Sequence, residues 1–376
     1  MHKTKRAVVL TGGGARSAYQ VGVLRAISDL APDLSHPFDI ICGTSAGAIN
    51  ALGIASGGDI FRHNIAKIES LWGNIKTEEI YRTDLWGMTR RLGHFTKSLM
   101  NAETSDHPAS LLDNAPLRGF LDKHIDYKAL NAAINLGHLH SVCITACGYK
   151  SGQSVNFFQA KEQVPGWHLG QRIGMATTLT TDHLLASSAI PMIFPPVKIN
   201  REYFGDGVVR QMAPLSPAIH LGAKKILIVG VSANRVCPAQ RRKTASFPSL
   251  SNVLEHVLNG AFIDVIEHDY DHALLINNLL KLIPDAELEK SNISLRPLEL
   301  LEISPSEPID DIANRHLSSL PKNIQRFVGK NDRNSESSSS LASYLLFEGI
   351  FCKELIRLGY QDAQAHANQI VSFLED

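Results

Sequence analysis

Two rhythms of apolar and polar positions run through this chain, and both appear in its first thirty residues. Residues 6–11 (RAVVLT) form a β-branched run closed by three glycines, and from Ala15 to Leu30 the apolar residues Ala18, Val21, Leu24 and Ile27 return at every third position. A short apolar run bounded by turn residues predicts a buried strand, and the longer period predicts an amphipathic helix. The order is strand, glycine turn, helix. It repeats at once: residues 38–42 (FDIIC) read as a second buried strand, followed by a glycine-rich elbow and a helix from Ala46 to about Ala55.

Helical spacing returns over Ile60–Ile75, Leu85–Met100 and Ala115–His124, and strand-like runs over Ser141–Tyr149, Ser154–Phe158, Lys225–Val231 and Leu298–Ile303. Helices interleaved with continuous apolar strands predict an α/β fold, with a mostly parallel sheet covered by helices on both faces. Residues 331–340 (NDRNSESSSS) are polar and aperiodic, so a linker is expected there. Beyond it, Leu341–Leu358 and Asp362–Phe373 predict two helices separated by Gly359. The organisation expected is therefore an α/β domain over 1–330, a linker over 331–340 and a helical extension over 341–376.

Composition narrows the classes. With 44% hydrophobic and 20% charged residues among 376, the chain fits neither a disordered nor a collagen-like protein. Its 37 basic and 37 acidic side chains cancel, which argues against a nucleic-acid partner. The balance is uneven along the chain: residues 1–250 hold 27 basic and 17 acidic side chains, and residues 251–376 hold 10 and 20. Five cysteines are too few and too odd for a disulfide framework, and Cys143 with Cys147 lacks a second pair for a metal site. Free buried thiols, no metal and no cofactor are expected. Residues 40–58 carry no charge and are long enough to cross a bilayer, but their glycines, serines and asparagine break them into strand, turn and helix. The start of the chain runs straight into the first motif and leaves no room for a cleaved apolar leader. The expectation is a cytoplasmic protein without a Sec signal peptide or transmembrane helix.

The strongest chemical feature is Gly43-Thr44-Ser45-Ala46-Gly47, a Gly-x-Ser-x-Gly placed after a predicted strand and before a predicted helix. Such a turn strains the central residue, pushes its hydroxyl clear of the fold and sets it at a helix N-terminus, where anions are favoured. Gly12-Gly13-Gly14-Ala15-Arg16 occupies a similar place, and its bare amides suit an oxyanion hole. A phosphate loop is the rival reading. It fails, because Ser17 stands where a dinucleotide motif needs its third glycine and no Gly-Lys-Ser/Thr follows. An ordinary turn remains the plain alternative. The serine needs a base, and none of the 16 histidines has a recognisable strand-end context. Asp206, in Tyr203-Phe204-Gly205-Asp206-Gly207, is the better candidate, since a partly buried carboxylate takes a proton directly.

These motifs, with the run Ala186-Ser187-Ser188-Ala189-Ile190-Pro191-Met192-Ile193-Phe194-Pro195-Pro196 between them, stand in the order that resembles patatin-like phospholipases. The likeness covers about residues 6–232, and more weakly extends to Ile303. It implies a patatin-like three-layer architecture whose catalytic domain is the 1–330 region, and lipid acyl hydrolysis by a serine–aspartate dyad without histidine. In that likeness Ser45 matches the nucleophile, Asp206 the base, Gly12, Gly13 and Gly14 the oxyanion hole and Arg16 the motif's arginine, with Gly43, Gly47 and Gly207 in support. The likeness further implies an acyl-enzyme that water then cleaves. Val208 departs from the family, which has a small residue after Asp-Gly, and so would crowd the dyad. An acyltransferase using the same nucleophile, and a non-catalytic lipid-binding protein, are the alternatives.

The implied partner is a phospholipid or other lipid ester, which calls for peripheral membrane contact. Residues 82–100 mix four basic residues with Leu85, Trp86, Leu92 and Phe95, and a second basic cluster includes Arg241 and Arg242. Trp86, Arg90, Arg91, Arg241 and Arg242 are the candidate membrane contacts. Oligomeric state is left open by the sequence.

Overall fold

The computed structural model describes residues 4–57, 60–84, 110–161, 164–232, 250–290, 295–328 and 340–375. Five parallel strands form its centre: β1 (Arg6–Leu10), β2 (Ile40–Thr44), β3 (Ser141–Gly148), β9 (Lys225–Val229) and β10 (Glu299–Ile303), in the order β10-β9-β1-β2-β3. Every residue of β1, β2 and β3 is buried. That is why their sequences run continuously apolar instead of alternating: both faces are covered, as a parallel sheet requires. Beyond β3 the sheet becomes mixed. β4 (Ser154–Ala160) pairs antiparallel with β3, β6 (Arg172–Ala176) parallel with β4 and β5 (Trp167–Leu169) antiparallel with β6, while the short hairpin of β7 (Val197–Ile199) and β8 (Glu202–Asp206) joins the far end of β3.

The helices follow the apolar spacing closely. α1 spans Ala18–Leu30, α2 Ala46–Ala55, α3 Phe61–Asn74 and α4 Ala115–His124, so the first two strand–helix segments and these two later helices fall where the periodicity puts them. The segment 40–58 is β2 and α2, and among the described residues no helix is long and apolar enough to cross a membrane. The helix expected over Leu85–Met100 and nearly all of the polar segment 331–340 lie outside the described residues.

The C-terminal region differs from its reading. Its helices are α5 (Ser340–Leu345), α6 (Gly349–Ala365) and α7 (Ala367–Leu374), so Gly359 lies inside a helix and the breaks fall at residues 346–348 and at His366. The cause is a close helix crossing. A Cβ on Gly359 would land on the carbonyl oxygen of Tyr19, and one on Gly22 would land on that of Ile356, so the backbones of α1 and α6 touch. The roughly 1 kcal/mol that glycine costs inside a helix is offset by this contact and by the Tyr19 hydroxyl, which donates to Asp362 Oδ2 at 2.9 Å. Leu341, Phe351, Leu355 and Ile370 join the same buried cluster as Val8, Leu24 and Leu52. At the end of α7, Arg6 donates to the Leu374 carbonyl and the Lys225 ammonium to those of Phe373 and Glu375, cations meeting the negative end of a helix.

Candidate active site

β2 reaches the end of its parallel pairing at Thr44, and α2 begins at Ala46. One residue makes the reversal. Ser45 does so at φ 55° and ψ −131°, a conformation that costs a residue with a side chain roughly 1–3 kcal/mol and persists only where its surroundings enforce it. The enforcement is visible. Gly47 packs so tightly on β1 that a Cβ there would land on the Leu10 carbonyl, and a Cβ on Gly43 would come within 2.5 Å of the Gly47 oxygen. The Ser45 amide donates to Ser187 Oγ at 2.8 Å, and that hydroxyl donates to the Thr145 carbonyl at 2.7 Å. Ser45 is only 2% exposed.

The carboxylate arrives from the antiparallel side. Pairing of β8 with β3 sets Asp206 opposite Ala146, and the Asp206 amide donates to the Ala189 carbonyl at 2.9 Å. Gly207 permits that approach, since a Cβ would land on the Thr145 oxygen. Asp206 is 1% exposed; its Oδ1 accepts from the Val208 amide at 3.1 Å, and its Oδ2 has no hydrogen-bond partner among the described residues. Burial pushes its pKa up to about 7, against the pull of the Ser45 hydroxyl and the Val208 amide. The Ser45 hydroxyl is therefore near enough to favour the charged carboxylate, but the unpartnered Oδ2 shows that this contact falls short of a well-formed hydrogen bond. Behind the pair, Thr44 Oγ1 donates to Gln211 Oε1 at 2.8 Å and Gln211 Nε2 to Thr145 Oγ1 at 3.1 Å, tying β2, β3 and the turn after Asp206 together.

The glycine loop closes the third side. Gly14 sits at φ 54°, and none of the amides of Gly12, Gly13 and Gly14 is used in the hydrogen bonds of the described residues. Val208 does crowd here, but against the loop: a Cβ on Gly12 would be 2.9 Å from its Cγ2 and 2.6 Å from Phe262 Cε1. The remaining cover comes from Val231, 2.6 Å from a Cβ on Gly13, and from the Tyr344 carbonyl, on which a Cβ of Gly14 would land. Arg16 is buried and turned toward the C-terminal region. Its Nε donates to Ser343 Oγ at 2.7 Å, its guanidinium meets Asp310 at 2.7 Å, and it stacks 4.1 Å from the centroid of the Tyr344 ring.

Sequence reasoning missed Ser187, Phe262, Asp310, Ser343 and Tyr344, and local pattern offers no signal for the last four. Ser187 stands within the Ala186–Pro196 run, where position in the motif was the only hint. Trp86, Arg90, Arg91, Arg241 and Arg242 lie outside the described residues.

Ser45 and Gly14 open into an apolar cavity of about 60 Å³, walled by one face each of α2, α3 and α4 and also lined by Phe194, Tyr344 and Phe347. Its lining suits a hydrocarbon. One histidine, His124, belongs to the described wall, and burial and the neighbouring Lys123 and Lys67 lower its pKa. No group of three or more potential metal-binding side chains occurs among the described residues, and the four described cysteines are buried free thiols.

Comparison with known proteins follows the same outline. A family model described as patatin-like phospholipase matches residues 8–219. A cGAMP-activated phospholipase of Pseudomonas aeruginosa is 27% identical over 324 residues, or 83% of this chain and 87% of that protein. Among solved structures, human GIVD cytosolic phospholipase A2 in complex with methyl gamma-linolenyl fluorophosphonate aligns with 99% of this chain and 59% of its own, at 13% identity and a TM-score of 0.47. VipD from Legionella pneumophila aligns with 98% of this chain and 67% of its own, at 11% identity and a TM-score of 0.38.

Proposed function

The chain belongs to the patatin-like phospholipase family and is a lipid ester hydrolase, and from that premise we propose that Ser45 is its nucleophile and Asp206 its general base. One observation carries the proposal: a strained serine lies beside a fully buried carboxylate whose Oδ2 has no partner among the described residues and whose pKa is raised to about 7. A base of that strength is half-ionised near neutrality, where it both holds a vacancy for the proton and attracts it strongly. No histidine is needed.

In the first step Asp206 takes the proton of Ser45 as Oγ attacks the ester carbonyl. Amides of Gly12–Gly14 hold the developing oxyanion, a role supported by their lack of another acceptor among the described residues and by the N-terminus of α2 behind Ser45. The Ser45 amide is held by Ser187 and takes no part. The carbon–oxygen bond to the alcohol then breaks, Asp206 returns the proton to the leaving oxygen, and a lysophospholipid or other alcohol departs. Water attacks the acyl-enzyme, Asp206 takes its proton and passes it to Ser45 Oγ as the fatty acid leaves.

Ser45→Ala and Asp206→Asn should each lower lipid ester hydrolysis at least a thousandfold while leaving the unfolding transition cooperative. Substantial turnover in either variant removes the dyad. Because the Pseudomonas relative is named for activation by cGAMP, and Ser45 here is almost fully covered, the assay should be run with and without that nucleotide.

A further inference from the structure

We propose that the cavity beside Ser45 measures the acyl chain, with Gly53 as the residue that sets the length admitted. The inference rests on the reading of Ser45 as nucleophile and adds the part of the substrate it discriminates.

The wall is regular. Ala46, Ile49, Asn50 and Gly53 all line the cavity, and at spacings of three, four and seven residues they form one face of α2, starting beside the nucleophile. From Ala46 to Gly53 that face advances about 10 Å, so an acyl chain bound at Ser45 and lying along α2 passes these positions in order. α3 runs against it in the opposite direction: Trp72 Nε1 donates to Asn50 Oδ1 at 2.8 Å, and Gly53 faces Ile68. Gly53 is the one lining position on α2 without a side chain. A Cβ there would come within 3.0 Å of Ile68 Cδ1, so a larger residue would narrow the passage between the two helices. Exposed Lys67, next to Ile68 in sequence, and half-buried His124 also line the cavity and give its wall a polar part.

A chain held this way gains binding from each methylene it buries, about fourfold apiece. The test uses p-nitrophenyl butyrate, octanoate and palmitate with the unaltered protein, Gly53→Leu and Ile49→Trp. Gly53→Leu should lower kcat/KM for palmitate at least tenfold relative to butyrate. Ile49→Trp, one turn closer to Ser45, should depress octanoate as well. Equal losses on all three esters, or the opposite order between the two variants, would overturn the proposal.

A measurement on the unaltered protein guards against misfolded variants. Labelling of Ser45 by alkyl fluorophosphonates should accelerate with alkyl length, and a flat profile overturns the ruler. Failure of Ser45 to label at all, with hydrolysis intact, would instead overturn the assignment of the nucleophile.

Discussion

The turn at Ser45 and the turn at Gly12–Gly14 both carry the chain from a buried parallel strand into a helix, and they lie side by side, yet they are held by different parts of the molecule. The serine turn is enforced by close neighbours in its own sheet: Gly43 against Gly47, Gly47 against β1, and the Ser45 amide on Ser187. The glycine loop is enforced from far along the chain, by Phe262, Asp310, Ser343 and Tyr344. One turn is therefore a property of the sheet. The other depends on the acidic C-terminal region, which holds the surplus charge that meets Arg16.

That difference is open to attack. Gly14→Ala would force a side chain into a positive-φ site and onto the Tyr344 carbonyl, and should cost roughly 4 kcal/mol in urea unfolding. A loss under 1 kcal/mol would mean that the C-terminal cover gives way easily. Arg16→Ala leaves Asp310 and Ser343 without their shared partner and should cost roughly 3 kcal/mol. The same loss should be much smaller in an Asp310→Asn background, because the two changes break one contact.

The serine side is probed by pH. As the proposed base Asp206 must be ionised, so kcat/KM should rise about fiftyfold between pH 5 and pH 7 and level above about pH 8. Its stability effect has the opposite sense: the folded protein keeps a proton there between about pH 4 and 7 that the unfolded chain has released, so this group lowers stability as pH rises through that window. Asp206→Asn should remove that slope in thermal melts from pH 4 to 8. The smallest effect falls on the bridge behind the pair: Gln211→Ala, which frees Thr44 and Thr145, should cost about 1 kcal/mol and leave the slope in place.

What could be read in advance follows the same division. β1, β2, α1, α2 and α4 were legible because their apolar periods coincide with the burial that tertiary packing imposes. Ser45 was legible because its strain is written in the glycines on either side. Asp206 was legible only through the order of several motifs, since the β7–β8 hairpin that delivers it is too short to show a pattern. The helix Tyr127–Leu136 carried usable signals, with Asp126 capping it through the amides of Lys128 and Ala129 and Gly137 at φ 81° ending it, and these were passed over. Gly359 misled for a physical reason: read along the chain a glycine ends a helix, whereas here it admits a second backbone. The partners of Arg16 lie some three hundred residues away, and no local pattern encodes a contact of that reach.

The meeting of α1 with α6 through Gly22 and Gly359 gives synthesis an order. A nascent chain that has emerged as far as Asp206 already owns both groups proposed to react, but the residues that press on the glycine loop and on the first helix are still to be translated. The hydroxyl and the carboxylate thus leave the ribosome before the residues that fix the glycine loop beside them.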